Sequence, residues 1–350
     1  MRVSTWRRLT KWEFWPPAVF YPPLAPYLAY LMIKHGGATV FTCANPGIEA
    51  GGVVGESKFR ILENLGGGDT VARATLLQGQ LPAGEKVERA RLFMAAHGLD
   101  FPIVLKPDMG QRGAGVTIVR TRERLTTCLE QVTGDTILQE YVGGPEFGVF
   151  YYRRPSESTG HIFSITEKRM TAVIGNGRDA LEVLILADER AVCQARLHLE
   201  NQRARLDYVP GDGEVVPLVE LGTHCRGALF LDAIHLLTPA LLESFDRVAK
   251  RFDGFFFGRF DVRACEGVDA FREGCGWKVL ELNGVTSEAT HIYHPDTPLL
   301  AAYRVLMTQW RLAFEIGAEN RRRGTTPASL RDLAALARDY RREARHHLAM

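Results

Sequence analysis

The chain carries little net charge of either sign. Its 43 Lys and Arg nearly offset 41 Asp and Glu, leaving +2, so it offers no bulk electrostatic attraction to nucleic acid. Six cysteines, Cys43, Cys128, Cys193, Cys225, Cys265 and Cys275, form no CxxC pair and no zinc spacing. That excludes a cysteine zinc module, and reduced thiols in a cytosolic compartment are expected. There is no internal repeat and no low-complexity tract. Charge is also missing from Phe14 to Ile33, a stretch of about the 20 residues that a membrane-crossing helix needs. Yet Pro16, Pro17, Pro22, Pro23 and Pro26 each remove a backbone donor that hydrocarbon cannot replace, which excludes a clean transmembrane span. Arg2, Arg7, Arg8 and Lys11 precede the stretch and Trp6, Trp12 and Trp15 interleave with it, a composition suited to an anionic membrane interface. No small-residue cleavage site follows, which argues against a signal peptide. Residues 1–35 are therefore read as an apolar arm that is a surface or re-entrant anchor on the inner face of a membrane; packing on the protein itself or on a partner subunit is the alternative.

At 350 residues, 46% hydrophobic and 24% charged, the chain can bury a large core and divide into two or three subdomains. Two strand-like runs near its end, GRFDVRA around Asp261 and WKVLELNGVTSEAT around Glu281, carry the most chemistry. Residues two apart on a strand share a face, so Arg259 and Asp261 point one way while Phe260 and Val262 point the other. Glu281 and Asn283 repeat the pattern, with Leu280 and Leu282 expected on the apolar side. Gly267, Gly274 and Gly276 between the runs suit a hairpin-like connection that brings both polar faces together. Two carboxylates, an amide and a guanidinium are what a magnesium–nucleotide site needs; a surface hairpin with solvated charges is the plainer alternative.

Upstream, FPIVLKPDMGQRGAGVTIVR reads as strand, glycine-rich loop, strand. Gly110, Gly113 and Gly115 allow close approach of backbone amides to a ligand, and Lys106 supplies a charge suited to phosphate. The loop lacks the Gly-Lys-Ser/Thr ending of a P-loop, and a strand rather than a helix follows it. An ordinary hairpin turn fits the same residues. A third segment, TILQEYVGGPEFGVFYYR, joins a buried strand to a short linker and Glu146.

Taken in order, these segments resemble the ATP-grasp superfamily, in particular the D-alanine:D-alanine ligase type and carboxylate–amine ligase-like proteins, over about Lys86 to Pro295. The resemblance implies an α+β ATP-grasp fold in which two subdomains grip ATP. It implies that Lys106 touches the α- and β-phosphates under the flap Gly110, Gln111, Arg112, Gly113 and Gly115, and that Gln139, Glu140, Tyr141 and Val142 form the adenine hinge. Glu146 would hold the ribose hydroxyls, Lys168 would approach the γ-phosphate, and Asp261, Glu281 and Asn283 would bind Mg2+, two ions with Mn2+ able to substitute. Arg259 and Lys168 would be the catalytic cations. Lys58 and Lys86 compete for a further nucleotide contact, and GVTSEATHIYHP departs from the D-alanine ligase form. The implied reaction is ADP-forming ligation of a small-molecule carboxylate and an amine through an acyl phosphate; an ATP-grasp kinase and a non-catalytic, membrane-associated nucleotide binder are the alternatives. His224, Cys225 and Arg226, or Ser287, Glu288 and His291, are candidates to line the acceptor pocket.

The expected division is 1–35, the arm; 36–98, an N-terminal α/β subdomain opening with a strand in ATVFTCANPG and a glycine-rich loop through Gly51, Gly52 and Gly55; 99–150, the small ATP-grasp subdomain; 151–316, the large subdomain with the metal site; and 317–350, a basic helical tail. Helical spacing predicts helices in KVERARLFMAAHGL ending at Gly98, and over Arg178–Asp188, Pro239–Arg251 and Pro298–Ile316. Arg321, Arg322, Arg323, Arg338, Arg341, Arg342 and Arg345 are expected on the tail helix, started by Thr326-Pro327.

Overall fold

The computed structural model describes residues 11–110, 113–219, 222 and 227–348. Its class is α+β, as expected. The first sheet holds β1 (Ala74–Leu77), β2 (Ile103–Pro107), β3 (Thr117–Val119) and β4 (Thr136–Glu140), all antiparallel, in the order β1-β4-β2-β3. Strand alternation sends Ile103, Leu105, Val119 and Leu138 into a core shared with Ala90 and Met94 of the helix Ala83–His97 and Leu125 and Leu129 of the helix Arg122–Gln131. Val104, Lys106, Ile118 and Gln139 therefore face the opposite side, where a cleft opens. Gly98 ends the first of these helices in the left-handed conformation at φ 61°, and the Thr121 hydroxyl caps the second by accepting from the Arg124 N–H.

Then come β5 (Glu146–Tyr152), β6 (His161–Arg169), a two-stranded ribbon of β7 (Ala172–Ile174) with β8 (Val215–Pro217), and β9 (Leu229–Asp232), β10 (Phe257–Arg263) and β11 (Lys278–Asn283). The larger sheet runs β11-β10-β5-β6-β9. On its back face Phe147, Val149, Tyr151, Phe260, Val262 and Leu282 pack against Leu241 and Phe245 of the helix Pro239–Ala249. Phe245 stacks on Trp277 at 4.2 Å between ring centroids. With that face committed to the core, the polar residues of β5, β6, β10 and β11 can only face the cleft.

Three expectations are corrected. The run Val40–Ala44 is a 3-10 helix rather than a strand, and residues 36–98 form no sheet of their own: β1 is an edge strand of the first sheet. Val40 and Ala44 bury on the helix Leu299–Arg322, whose Gly317 has no room for a Cβ beside the Val40 carbonyl, so the segment meets a helix and is offered no sheet edge. That helix extends past Ile316 to Arg322 and takes Arg321 and Arg322 with it; the tail helix is Leu330–Leu348. Leu280 is not part of the apolar face. A bulge between Asp261 and Val262 pairs Asp261 with Glu281 and Val262 with Val279, leaving Leu280 without a cross-strand partner and turned to the cleft.

The arm packs on the body of the protein. Phe20 and Leu24 bury against Ile292, Ala302 and Leu306, Trp12 Nε1 donates to the Thr297 carbonyl at 2.8 Å, and Tyr303 donates to the Phe20 carbonyl at 2.9 Å. Among the described residues no helix is long and apolar enough to cross a membrane. Arg2, Trp6, Arg7 and Arg8 lie outside the described residues, as does Cys225; Cys43, Cys128, Cys193, Cys265 and Cys275 are free thiols.

Candidate active site

Register across the larger sheet places its polar residues in rows. Thr166, Gly148, Asp261 and Glu281 are successive cross-strand partners from β6 to β11, and Lys168, Glu146 and Arg263 form the next row. The carboxylates and cations interlock. Lys168 Nζ lies 3.0 Å from both Glu146 Oε1 and Asp261 Oδ1. Arg259 grips Asp261 through Nε at 2.9 Å and its terminal nitrogen at 3.2 Å, while its other nitrogen donates to the Glu288 carbonyl at 3.0 Å. The Asn283 amide nitrogen donates to Asp261 Oδ2 at 3.2 Å. Arg263 completes the row by donating to Glu146 and, at 2.9 Å, to the Val142 carbonyl.

The first sheet and its flanks close over this face. Lys106 Nζ and Gln139 Nε2 both donate to the Leu280 carbonyl, at 2.9 and 3.1 Å, so the bulge carbonyl ties the sheets together. Lys58, at the start of the helix Lys58–Asn64, lies 3.1 Å from Glu281 Oε1. Of the two competing lysines, Lys58 is the one on the cleft wall. Lys86 instead donates to the Val132 carbonyl outside the cleft.

The field at the site is strong because its groups are buried. Burial alone would raise the Asp261 carboxyl, but Arg259 and Lys168 hold it well below the usual carboxylate range. Glu281 is likewise held down against burial, chiefly by Lys58 and then Lys106. Lys106 goes the other way: burial lowers it to about 8, with Glu281 only partly opposing. Glu56, from the loop beside Lys58, lines the same space with Oε2 buried and unbonded, and burial pushes its carboxyl up.

Most of the residues named from the sequence come together here. Lys106, Gly110, Gly113, Gln139, Glu140, Tyr141, Val142, Glu146, Lys168, Arg259, Asp261, Glu281 and Asn283 all line one cleft of about 2100 Å³. That exceeds an ordinary single-ligand pocket of roughly 300–1,000 Å³. Gly115 is not on its wall; it holds φ 72° against Pro107. Gln111, Arg112, His224 and Arg226 lie outside the described residues. Ser287 and Glu288 line the cleft, whereas His291 does not. Sequence reasoning missed Arg263, although it continues the alternation of Arg259 and Asp261. Tyr21 and Tyr293 were missed too, and no local pattern marks them.

Magnesium fits the donor set. Among the described residues no group of three or more His, Cys, Asp or Glu could hold a metal alone, but Mg2+ commonly takes one or two carboxylates and fills its shell with water and phosphate oxygens. Asp261 and Glu281, directly opposed across β10 and β11, with the Asn283 amide, would supply that share.

No family profile matches the chain, and no curated protein does. Among solved structures it is similar to the D-cycloserine synthetase DcsG (14% identity, TM-score 0.44, 89% of this chain and 94% of that one). A D-alanine–D-alanine ligase from Bacillus anthracis complexed with ATP is similar at 15% identity and TM-score 0.41, over 76% and 67%. These structures are ATP-grasp ligases. A bifunctional glutathione synthetase from Pasteurella multocida, at 15% identity and TM-score 0.39, matches 72% of this chain, which spans about a third of its length (35%). The present chain sets a lysine-bearing four-stranded sheet against the carboxylate-bearing strands of a five-stranded one.

Proposed function

We propose that the protein is an ATP-dependent ligase that joins a carboxylate to an amine through an acyl phosphate, with Mg–ATP held between its two sheets. The observation that supports this best is the opposed pair Asp261 and Glu281 surrounded by Lys58, Lys106, Lys168 and Arg259. Cations outnumber carboxylates there, so a polyphosphate entering the cleft meets preformed positive charge, while the two carboxylates and Asn283 would hold magnesium. Bound magnesium would neutralise charge on the phosphates during transfer.

The chain's own residues act by fixed electrostatics. Lys106, at the mouth of the glycine loop, and Lys168, near the end of β6, would hold phosphate oxygens. The substrate carboxylate oxygen forms a bond to the terminal phosphorus as the bond to ADP breaks. The neutral amine nitrogen then attacks the acyl carbon, phosphate leaves with the electron pair, and the proton the nitrogen sheds passes to the phosphate. Arg259, anchored by Asp261 and the Glu288 carbonyl, is oriented to stabilise the oxyanion of that second step. No protein nucleophile is needed.

The test is coupled ADP and phosphate release from Mg–ATP across paired panels of acids and amines, with product mass as readout. Release that requires both an acid and an amine supports the ligase; a phosphorylated product without free phosphate would make it a kinase.

A further inference from the structure

Beside Arg259 the cleft changes character. Glu288 Oε1 accepts from the Tyr21 hydroxyl at 2.6 Å and Oε2 from the Tyr293 hydroxyl at 3.0 Å, while the Glu288 carbonyl is fixed by Arg259. Phenols are neutral donors, so they orient the carboxylate without balancing its charge; among the described residues Glu288 makes no direct ion pair, and Arg259 acts on it only across space. Each carboxylate oxygen retains a second lone pair. The surrounding wall is aromatic: Trp12 stacks on Phe20 at 5.2 Å and tilts against Tyr293 at 5.9 Å, and Phe230 meets Tyr293 edge-on at 6.5 Å. A cation suits both the carboxylate and the ring faces, and apolar substance suits the remainder.

The arm builds this end. Tyr21 is separated from Glu288 by 267 positions in sequence and is set by its buried neighbours Phe20 and Leu24. On the other side Arg190 pins the arm, with one guanidinium nitrogen 3.0 Å from Glu13 Oε1 and its plane over Phe14.

We propose that Glu288, held by Tyr21 and Tyr293 beside Arg259, binds the ammonium group of the acceptor, and that the arm's aromatic wall selects a primary amine carrying an apolar or aromatic body. This rests on the ligase reading, which assigns an amine to the site. Glu288 thereby holds the nitrogen near the guanidinium that would steady the reacting centre, and the ammonium gives up one proton to solvent before the neutral amine attacks.

Calorimetry on the full chain with a non-hydrolysable ATP analogue, Mg2+ and benzylammonium chloride tests the subsite directly. Benzylammonium should bind at least tenfold more tightly than benzyl alcohol. Glu288→Gln should erase that preference, and Tyr21→Phe, which keeps the ring packing, should weaken it a few-fold; in both the loss should exceed any change in affinity for the ATP analogue. In turnover, Glu288→Gln should raise KM for cationic amines at least tenfold more than it slows trapping of the acyl phosphate by hydroxylamine, a small uncharged nucleophile. Equal binding of benzylammonium and benzyl alcohol, an unaltered preference in Glu288→Gln, or parallel losses with hydroxylamine and amines would overturn the subsite. Absence of hydroxamate from every carboxylate tried would instead remove the ligase reading, and the calorimetry would still decide the ammonium subsite.

Discussion

At one end of the cleft, interlocked lysines, arginines and carboxylates rise from strands and a helix start; at the other, aromatic rings from the arm close around a carboxylate held by phenols. The first end is rigid because its charges are buried and mutually bonded: Lys168 and Asp261 are each held by more than one partner. The second is assembled by packing, from segments at opposite ends of the chain. On the proposed reading the charged end takes the part of the substrates that is always the same, a polyphosphate, and the aromatic end the part that distinguishes one acceptor from another.

The largest effect expected from breaking this contrast comes from Asp261→Asn. Losing the charge leaves Arg259 and Lys168 less compensated and weakens the proposed magnesium site, so turnover should fall by roughly 10²–10³-fold, measured as ADP release. The protein should remain folded, with a loss of stability of about 1–3 kcal/mol from weakened buried partners, read from circular dichroism and urea midpoints.

Phe20→Ala attacks the other end. Phe20 is only 4% exposed and stacks against Trp12 and Tyr303, so its truncation should cost about 3 kcal/mol of stability. Affinity for nucleotide at the charged end should hold within twofold; if it drops in step with stability, the two ends are not separable.

This difference in construction also explains what the sequence reveals. Asp261, Glu281 and Asn283 were legible because a strand's period of two assigns faces from local order alone, and Lys106 because it sits where an apolar strand meets a glycine loop. Leu280 was not, since a bulge is a register event between strands that alternation within one strand does not record. Tyr21 was not legible for a stronger reason: its role depends on Glu288 and Tyr293, brought near only by tertiary packing. The run 40–44 failed likewise, because Gly317 lets a helix backbone come close enough to replace a sheet neighbour.

Lys106 offers a pH-dependent test of smaller size. Burial holds it near 8, below its ordinary 10.5, so it is charged at pH 7 and loses its proton as pH rises through about 8. Nucleotide affinity should therefore be highest below pH 7.5 and decline toward pH 9. Lys106→Met should lower affinity at pH 7 by about tenfold, ~1.4 kcal/mol, and flatten that decline. Stability moves in the opposite sense: between about 8 and 10.5 the unfolded chain retains a proton that the folded one has released, so this lysine's contribution to stability rises with pH across that window. Isothermal titrations at pH 7 and 9 check the first statement, and urea midpoints over the same range check the second.

The smallest change probes how tightly the charged end is set. Gly148 on β5 stands beside Asp261, and a Cβ there would meet Arg259 Cδ at 3.2 Å, Asp261 Oδ1 at 3.4 Å and Thr290 Oγ1 at 3.5 Å. Those contacts are tight without being prohibitive, so Gly148→Ala should fold normally and displace the Arg259–Asp261 pair by a few tenths of an ångström. Because Arg259 also fixes the Glu288 carbonyl, the displacement reaches the aromatic end through a single hydrogen bond. A fall in kcat of about three- to tenfold with little change in nucleotide KM is expected. If the amine KM rises along with it, the two ends are coupled through Arg259; if only kcat changes, the guanidinium serves the reacting centre and the amine subsite stands on Tyr21 and Tyr293 alone.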